Sequence, residues 1–407
     1  MKLARRRGRR QRVIARFGEV RLCHSSCEAA EQRWAAGCGG GGAKGRGQGK
    51  RGPAKHAPDP EPDMRDPGAE PRTASCKARK KERFTALLHH LNIDTLRTAF
   101  LALKRKAAPG VDGVTWQDYE ADLEPNLEDL HREIHRGAYR PQPSRRTYIP
   151  KADGRQRPLA IAALGDKIVQ GACVMVLNAI YEEDFLGFSY GFRPGRGPHD
   201  ALDALSVAIT SRKVNYILDA DVRDFFGSVS QDWLVSFLEH RVGDKRIIRL
   251  IRKWLKAGIL KGGVVTVADS GTGQGAVISP LLGNIYLHYV FDQWAERWRR
   301  REARGDMIVV RYADDLVAGF EHEDDARRFL DALRERFGAF SLSLHPGKTR
   351  LIEFGRHAAA ERKKRGIGRP ETFAFLGYVS SALMLCPTLA LPPGLPEGAI
   401  ERNIFVA

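Results

Sequence analysis

An α+β fold built around an antiparallel sheet is predicted from three features of this chain. Met307-Ile308-Val309-Val310 and Leu316-Val317-Ala318-Gly319-Phe320 are strand-like apolar runs bracketing Tyr312-Ala313-Asp314-Asp315, which puts two aspartates at the tip of a β-hairpin. A third strand-like run, Val214-Asn215-Tyr216-Ile217-Leu218, leads into Asp221, roughly ninety residues before the pair. Helical patterns are mixed among the strands without regular βαβ repetition, which argues against a parallel sheet.

The 407 residues are enough for two or three domains with a sizeable core. Net charge is +18, from Lys+Arg 67 against Asp+Glu 49, and favours polyanionic partners. Residues 1–80 hold 20 Lys/Arg against 8 Asp/Glu, so an N-terminal arm carries +12 of that excess. With its Gly37 to Gly42 run and the Pro/Asp/Glu mixture of 53–71, the arm has too little apolar material to order itself. A periodic patch at 16–35 is its one helical candidate.

The 6 cysteines make no disulfide framework, and no second ligand pair follows Cys23-His24 and Cys27 at a zinc-finger spacing. No apolar run approaches the ~20 residues of a membrane span, and the Arg-rich start lacks an apolar signal core. A reducing, cytoplasmic setting is expected.

Order is expected from Arg83. Phe84, Leu87, Leu88 and Leu91 recur at helical spacing, as do Leu96, Phe100 and Leu103. Residues 108–115 form a loop, 118–136 an amphipathic helix, and 165–185 a further helix. Tyr148-Ile149-Pro150-Lys151 and Arg157-Pro158-Leu159-Ala160-Ile161 form a basic hairpin about Ala152-Asp153-Gly154. Helices follow at 243–257 and 280–299.

Adjacent carboxylates between apolar strands gain the fold nothing, so their compensation is sought in divalent metal. Two ions held by Asp221, Asp314 and Asp315 can clamp the attacking and leaving oxygens of a phosphoryl transfer, as in a palm-type polymerase. Taken alone, the Asp-Asp turn also reads as an acidic loop in solvent. Lys151 and Arg157 present two cations on one hairpin and suit a triphosphate, although a basic hairpin is commonly a solvated surface. In Asp221-Val222-Arg223-Asp224-Phe225-Phe226, Phe225 reads as core, and a turn after the carboxylate would bring Phe226 beside an incoming sugar. Gly271-Thr272-Gly273-Gln274-Gly275 lets backbone approach a ligand and lacks the Lys-Ser/Thr ending of a P-loop.

Ile149-Pro150-Lys151, Arg157-Pro158-Leu159, Gly191-Phe192-Arg193-Pro194, Asp221 with Phe225-Phe226, Gln274-Gly275 with Ile278-Ser279-Pro280-Leu281-Leu282, Tyr312-Ala313-Asp314-Asp315, Lys348-Thr349 and Phe375-Leu376-Gly377-Tyr378 occur in this order. Together they resemble the bacterial group II intron-encoded reverse transcriptases over residues 83–378, and Pro109-Gly110-Val111-Asp112-Gly113 resembles that family's N-terminal extension. The resemblance implies a right-hand polymerase with a helical extension at 81–145, and fingers and palm at 146–378. It also implies RNA-directed addition of dNTPs to a DNA primer, with group II intron RNA as template.

Asp221, Asp314 and Asp315 would then ligate two Mg²⁺, and Lys151 and Arg157 would hold the triphosphate. Val222, Phe226 and Gln274 would contact the nucleotide, Phe226 as a gate against the 2′-hydroxyl. Lys348 would act as general acid, and Phe375, Leu376, Gly377 and Tyr378 as primer grip. Gly227 stands where the family has aspartate, an expected loosening of the strand end, and Gly273 replaces a proline. Residues 379–407 carry no Lys, one Arg and four prolines, and resemble neither thumb nor maturase; no His-Asn-His endonuclease pattern is present. The alternative is a non-catalytic, intron-RNA-binding remnant.

Overall fold

A computed structural model of the chain describes residues 83–150, 156–355, 362, 364–366 and 371–380. The N-terminal arm with Cys23, His24 and Cys27, the hairpin tip with Lys151, and the tail beyond Ser380 lie outside the described residues. Long-range contacts divide the chain once, between Glu82 and Arg83. The helical extension and the expected fingers and palm thus share one compact unit.

The fold is mixed helix and sheet, and its central sheet is antiparallel throughout. β3 (Tyr216–Asp221), β6 (Met307–Tyr312), β7 (Asp315–Phe320) and β8 (Arg350–Glu353) lie in the order β6-β7-β3-β8. Because side chains alternate along a strand, one face carries Ile308, Val310, Ile217 and Val317. This face packs on Ala201, Leu205 and Ile209 of the helix Pro198–Ser211, together with Phe354, Phe373 and Phe375. The other face carries Phe320, whose ring meets Trp298 and Phe329 at 6.2 and 5.3 Å. A sheet covered on both sides can read as continuous apolar runs, as β6 and β7 do.

A second sheet joins β1 (Ser144–Pro150), β2 (Gln156–Ile161), β4 (Ile259–Lys261) and β5 (Val264–Thr266), with β1 and β4 parallel. The Pro109–Gly113 loop packs on the start of helix Leu164–Tyr181. A Cβ on Gly110 would stand 2.5 Å from Ala163 Cα, so only glycine fits.

Three expected helices are differently built. Phe84 to Leu91 is not α-helical: Phe84 bridges Val242, and the Leu87 and Leu88 amides donate to Asp244 Oδ2 at 2.9 and 3.0 Å, leaving a 3₁₀ turn at Leu88–His90. The 118–136 helix is two, Trp116–Ala121 and Leu123–Arg136. Pro125 cannot sit inside a continuous helix but is accommodated in the first turn of the second. The 280–299 helix widens to a π-helical turn at His288–Asp292, between α-helices Ser279–Leu287 and Gln293–Arg301. Among the described residues no helix is long and apolar enough to cross a membrane.

Candidate active site

The end of β3 and the start of β7 put Asp221 and Asp315 opposite each other as cross-strand partners. By strand alternation Asp219 shares their face. Asp314 occupies the two-residue loop closing the β6–β7 hairpin, where Ala313 takes a left-handed φ of 55°. Left-handed first positions match hairpin twist.

The cleft has an excess of negative charge. Asp315 reaches solvent, yet its carboxyl is pushed up to about 7 by lost hydration and by Asp314, Asp221 and Asp219. Burial raises Asp314 as well, with Asp221 adding to the shift and Arg157 opposing it. Asp219 is raised by burial against the pull of Arg350, 3.5 Å away. One cation already answers this charge: Lys348 Nζ lies 2.6 Å from Asp221 Oδ2. Its segment is anchored by the His345 amide, which donates to the Asp221 carbonyl at 2.8 Å. Among the described residues no three His, Cys, Asp or Glu side chains are grouped so as to hold a metal ion as they stand. The carboxylates are nevertheless the hard oxygen donors that suit Mg²⁺.

Beneath the Ala313-Asp314 turn lies a buried polar scaffold that the motif reading passed over. Arg311, 0% exposed, points away from the cleft. Its Nε and Nη2 donate to Asp292 at 2.7 and 2.6 Å, Nη1 to Asn284 Oδ1 at 2.9 Å, and Nη2 to Ser189 Oγ at 2.6 Å. Nη1 also donates to the Ala313 carbonyl at 3.0 Å, holding the turn from below. Asn284 Nδ2 donates to the Gly191 carbonyl at 2.6 Å. The available signal was polar Asn284 and Asp292 interrupting an apolar helical run.

After Asp221 the chain turns through Asp224 (φ 42°) into the single helical turn Phe225–Ser228. Phe225 is core, as expected, and half-buried Phe226 meets it edge-on at 5.2 Å. Gly227 is therefore in a helical turn and not at a loosened strand end. A Cβ there would come 2.3 Å from Asp224 Oδ2, the free end of an exposed side chain that can swing aside. The Gly-rich loop links this turn to the basic hairpin: the Thr272 amide donates to the Phe226 carbonyl at 2.8 Å, and the Ala160 amide to the Gln274 carbonyl at 2.7 Å. Gln274 is half-buried and Arg157 exposed.

Two expected contact residues turn inward. Val222 is 3% exposed and pairs with Leu344, so only its main chain can face a nucleotide. Phe375, 3% exposed, belongs to the sheet core beside Phe354 and Phe373, because burying its ring outweighs displaying it. The outward part of the segment is the Leu376-Gly377 turn, left-handed at both residues, and Tyr378, whose ring meets His199 at 5.9 Å.

Residues 149–380 match the family described as reverse transcriptase (RNA-dependent DNA polymerase). Protein YkfC of Escherichia coli (strain K12) is 40% identical over 285 residues, 62% of this chain and 74% of that protein. The group II intron-encoded protein LtrA of Lactococcus lactis subsp. cremoris is 32% identical over 209 residues, 51% of this chain and 35% of LtrA. A putative COX1/OXI3 intron 1 protein of Saccharomyces cerevisiae is 31% identical over 206 residues, 50% of this chain and 24% of its own length. The chain thus spans about three quarters of the first and at most about a third of the others.

Proposed function

The chain belongs to the reverse transcriptase (RNA-dependent DNA polymerase) family, and we propose that it extends a DNA 3′ end on an RNA template, using dNTPs and Mg²⁺. The observation that carries this reading is the cross-strand pairing of Asp221 with Asp315 beside Asp314 in the adjoining turn. The name of LtrA, a group II intron-encoded protein, favours group II intron RNA as template. In this reading residues 81–145 are the helical extension and 146–378 the fingers and palm.

Asp221, Asp314 and Asp315 would hold the metal pair. When bound, it would neutralise carboxylate and phosphate charge and polarise the reacting oxygens. The protein's own groups do the rest by position and charge. Arg157 and Lys151 neutralise the triphosphate, Phe226 limits space at the sugar, and the Gln274 segment holds the nucleotide side of the cleft. Lys348 already sits on Asp221, where its ammonium can hold a proton for the pyrophosphate leaving group.

The test is Asp314→Asn in primer extension on an RNA template. Losing one ligand charge should lower the rate by orders of magnitude, since each ~1.4 kcal/mol of barrier is tenfold. Its Tm should hold or rise, because a desolvated like charge is removed. Near-normal extension would refute the site.

A further inference from the structure

Phe192 combines two features that a fold ordinarily avoids. It is a large apolar ring left 49% exposed, and its backbone sits at φ 56°, a region that aromatic residues rarely enter. Such strain persists only where the surroundings impose it. Here both neighbours are pinned. A Cβ on Gly191 would lie 2.3 Å from the Ala313 amide, so this loop is pressed against the catalytic turn itself. Asn284 holds the Gly191 carbonyl from below. On the other side the buried Arg193 grips Glu182 through Nε and Nη2, at 3.0 and 2.8 Å, and donates through Nη1 to the carbonyls of Leu186 and Ser189 at 2.9 and 2.8 Å.

The ring displayed by this arrangement stands 6.3 Å from that of Tyr312, the residue preceding the catalytic loop, at an interplanar angle of 44°. Tyr312 and Leu376 pack against the same sheet core, so the apolar margin runs beside the carboxylates. Phenylalanine has no donor or acceptor and cannot read base identity. What it offers is a flat face, and every base or sugar has apolar surface to set against one.

We propose that Phe192 is a stacking contact for the nucleic acid, seating bases and sugars of the primer–template duplex next to the primer 3′ end, independently of sequence. The proposal rests on the polymerase reading above. Binding of the full chain to a 5′-labelled, dideoxy-terminated DNA primer annealed to RNA, followed by fluorescence anisotropy without nucleotide, tests it.

Phe192→Gly suits the left-handed backbone, so its Tm should equal or exceed that of the native chain. Its Kd should rise about 5- to 150-fold, the usual worth of one stacked ring. Phe192→Tyr and Phe192→Trp should restore binding to within a few-fold, and the loss should be the same on templates of different sequence. A Phe192→Gly variant that binds like the native chain overturns the proposal while the polymerase reading stands, as does one whose Tm falls while its Kd is unchanged. Native chain that neither binds this hybrid nor extends the same primer bearing a free 3′-hydroxyl overturns the polymerase reading, and this proposal with it.

Discussion

Phe226 is hemmed in by two glycines, Gly271 against its carbonyl and Gly283 beside the Phe225 and Phe226 rings. Gly271 presses on its carbonyl, with a Cβ there only 2.7 Å away. A Cβ on Gly283 would stand 3.5 Å from the Phe226 ring and 2.9 Å from that of Phe225. The ring is held from behind yet only half-buried, as a steric gate would require. Phe226→Val should therefore raise ribonucleotide over deoxyribonucleotide use by about 10- to 200-fold, the range for one small group in a fitted pocket. If the ring only packed, truncation would cost about 1–3 kcal/mol of stability with no change in sugar preference. The rNTP/dNTP ratio measured alongside Tm separates the two.

At the scale of elements, the β6–β7 hairpin and the π-helical turn opposite it work as a pair. The wider turn sets Asp292 against Arg311, and Arg311 holds the Ala313 carbonyl. Asp292→Asn strands a buried guanidinium and should cost about 3–5 kcal/mol. An Asp292→Leu/Arg311→Met double variant should regain much of that stability, since apolar pairs can replace buried ions. Extension should stay depressed in the double variant, because the turn carrying Asp314 has lost its donor. Recovery of both Tm and rate would reduce the pair to a packing feature. The hairpin itself was legible in sequence because its apolar runs and its turn are local, and so were Asp221 at a strand end and Phe225 in the core. Gly110 drew notice as part of a turn, although its cause, the Ala163 backbone, is distant. What was not legible depends on partners far along the chain. Leu87 and Leu88 leave the helical pattern because Asp244 takes their amides, and Phe375 turns inward because Phe354 and Phe373 receive it. Arg311 stands among apolar strand residues, and its partners Asp292 and Asn284 lie in a different part of the chain.

At the scale of the whole molecule, one buried carboxyl joins three segments. Asp166, at the start of helix Leu164–Tyr181, accepts from the Tyr139 hydroxyl at 2.5 Å and from the Gln142 amide at 2.9 Å. The Tyr139 hydroxyl in turn accepts from Trp254 Nε1 at 2.9 Å, and Lys253 donates to the Tyr139 carbonyl at 2.5 Å. The helical extension is thereby fastened to two helices of the following region, which is why no boundary falls near 145. Burial pushes Asp166 up to about 6, against hydrogen bonds from Tyr139 and Gln142 that favour its charged form. The folded chain keeps this proton where the unfolded chain, with a carboxyl near ~3.9, has released it. The stability it contributes is complete below about pH 4 and is lost as pH rises through about 6. Asp244 has the opposite sign: hydrogen bonds from Arg246 and the Leu87 and Leu88 amides outweigh burial, and its contribution is lost as pH falls below about 4. The raised cleft carboxyls share the sign of Asp166, but divalent cation should act on them and leave the buried carboxyl untouched. Burial holds His288 neutral down to about pH 3, so it adds stability as pH rises over the same range. Denaturant unfolding with Mg²⁺ present should therefore show native stability falling by on the order of 2–3 kcal/mol relative to Asp166→Asn between about pH 4 and pH 7. The amide retains an acceptor for Tyr139, so the variant should fold. A variant whose stability keeps the native pH slope would mean that this carboxyl is already charged in the folded chain.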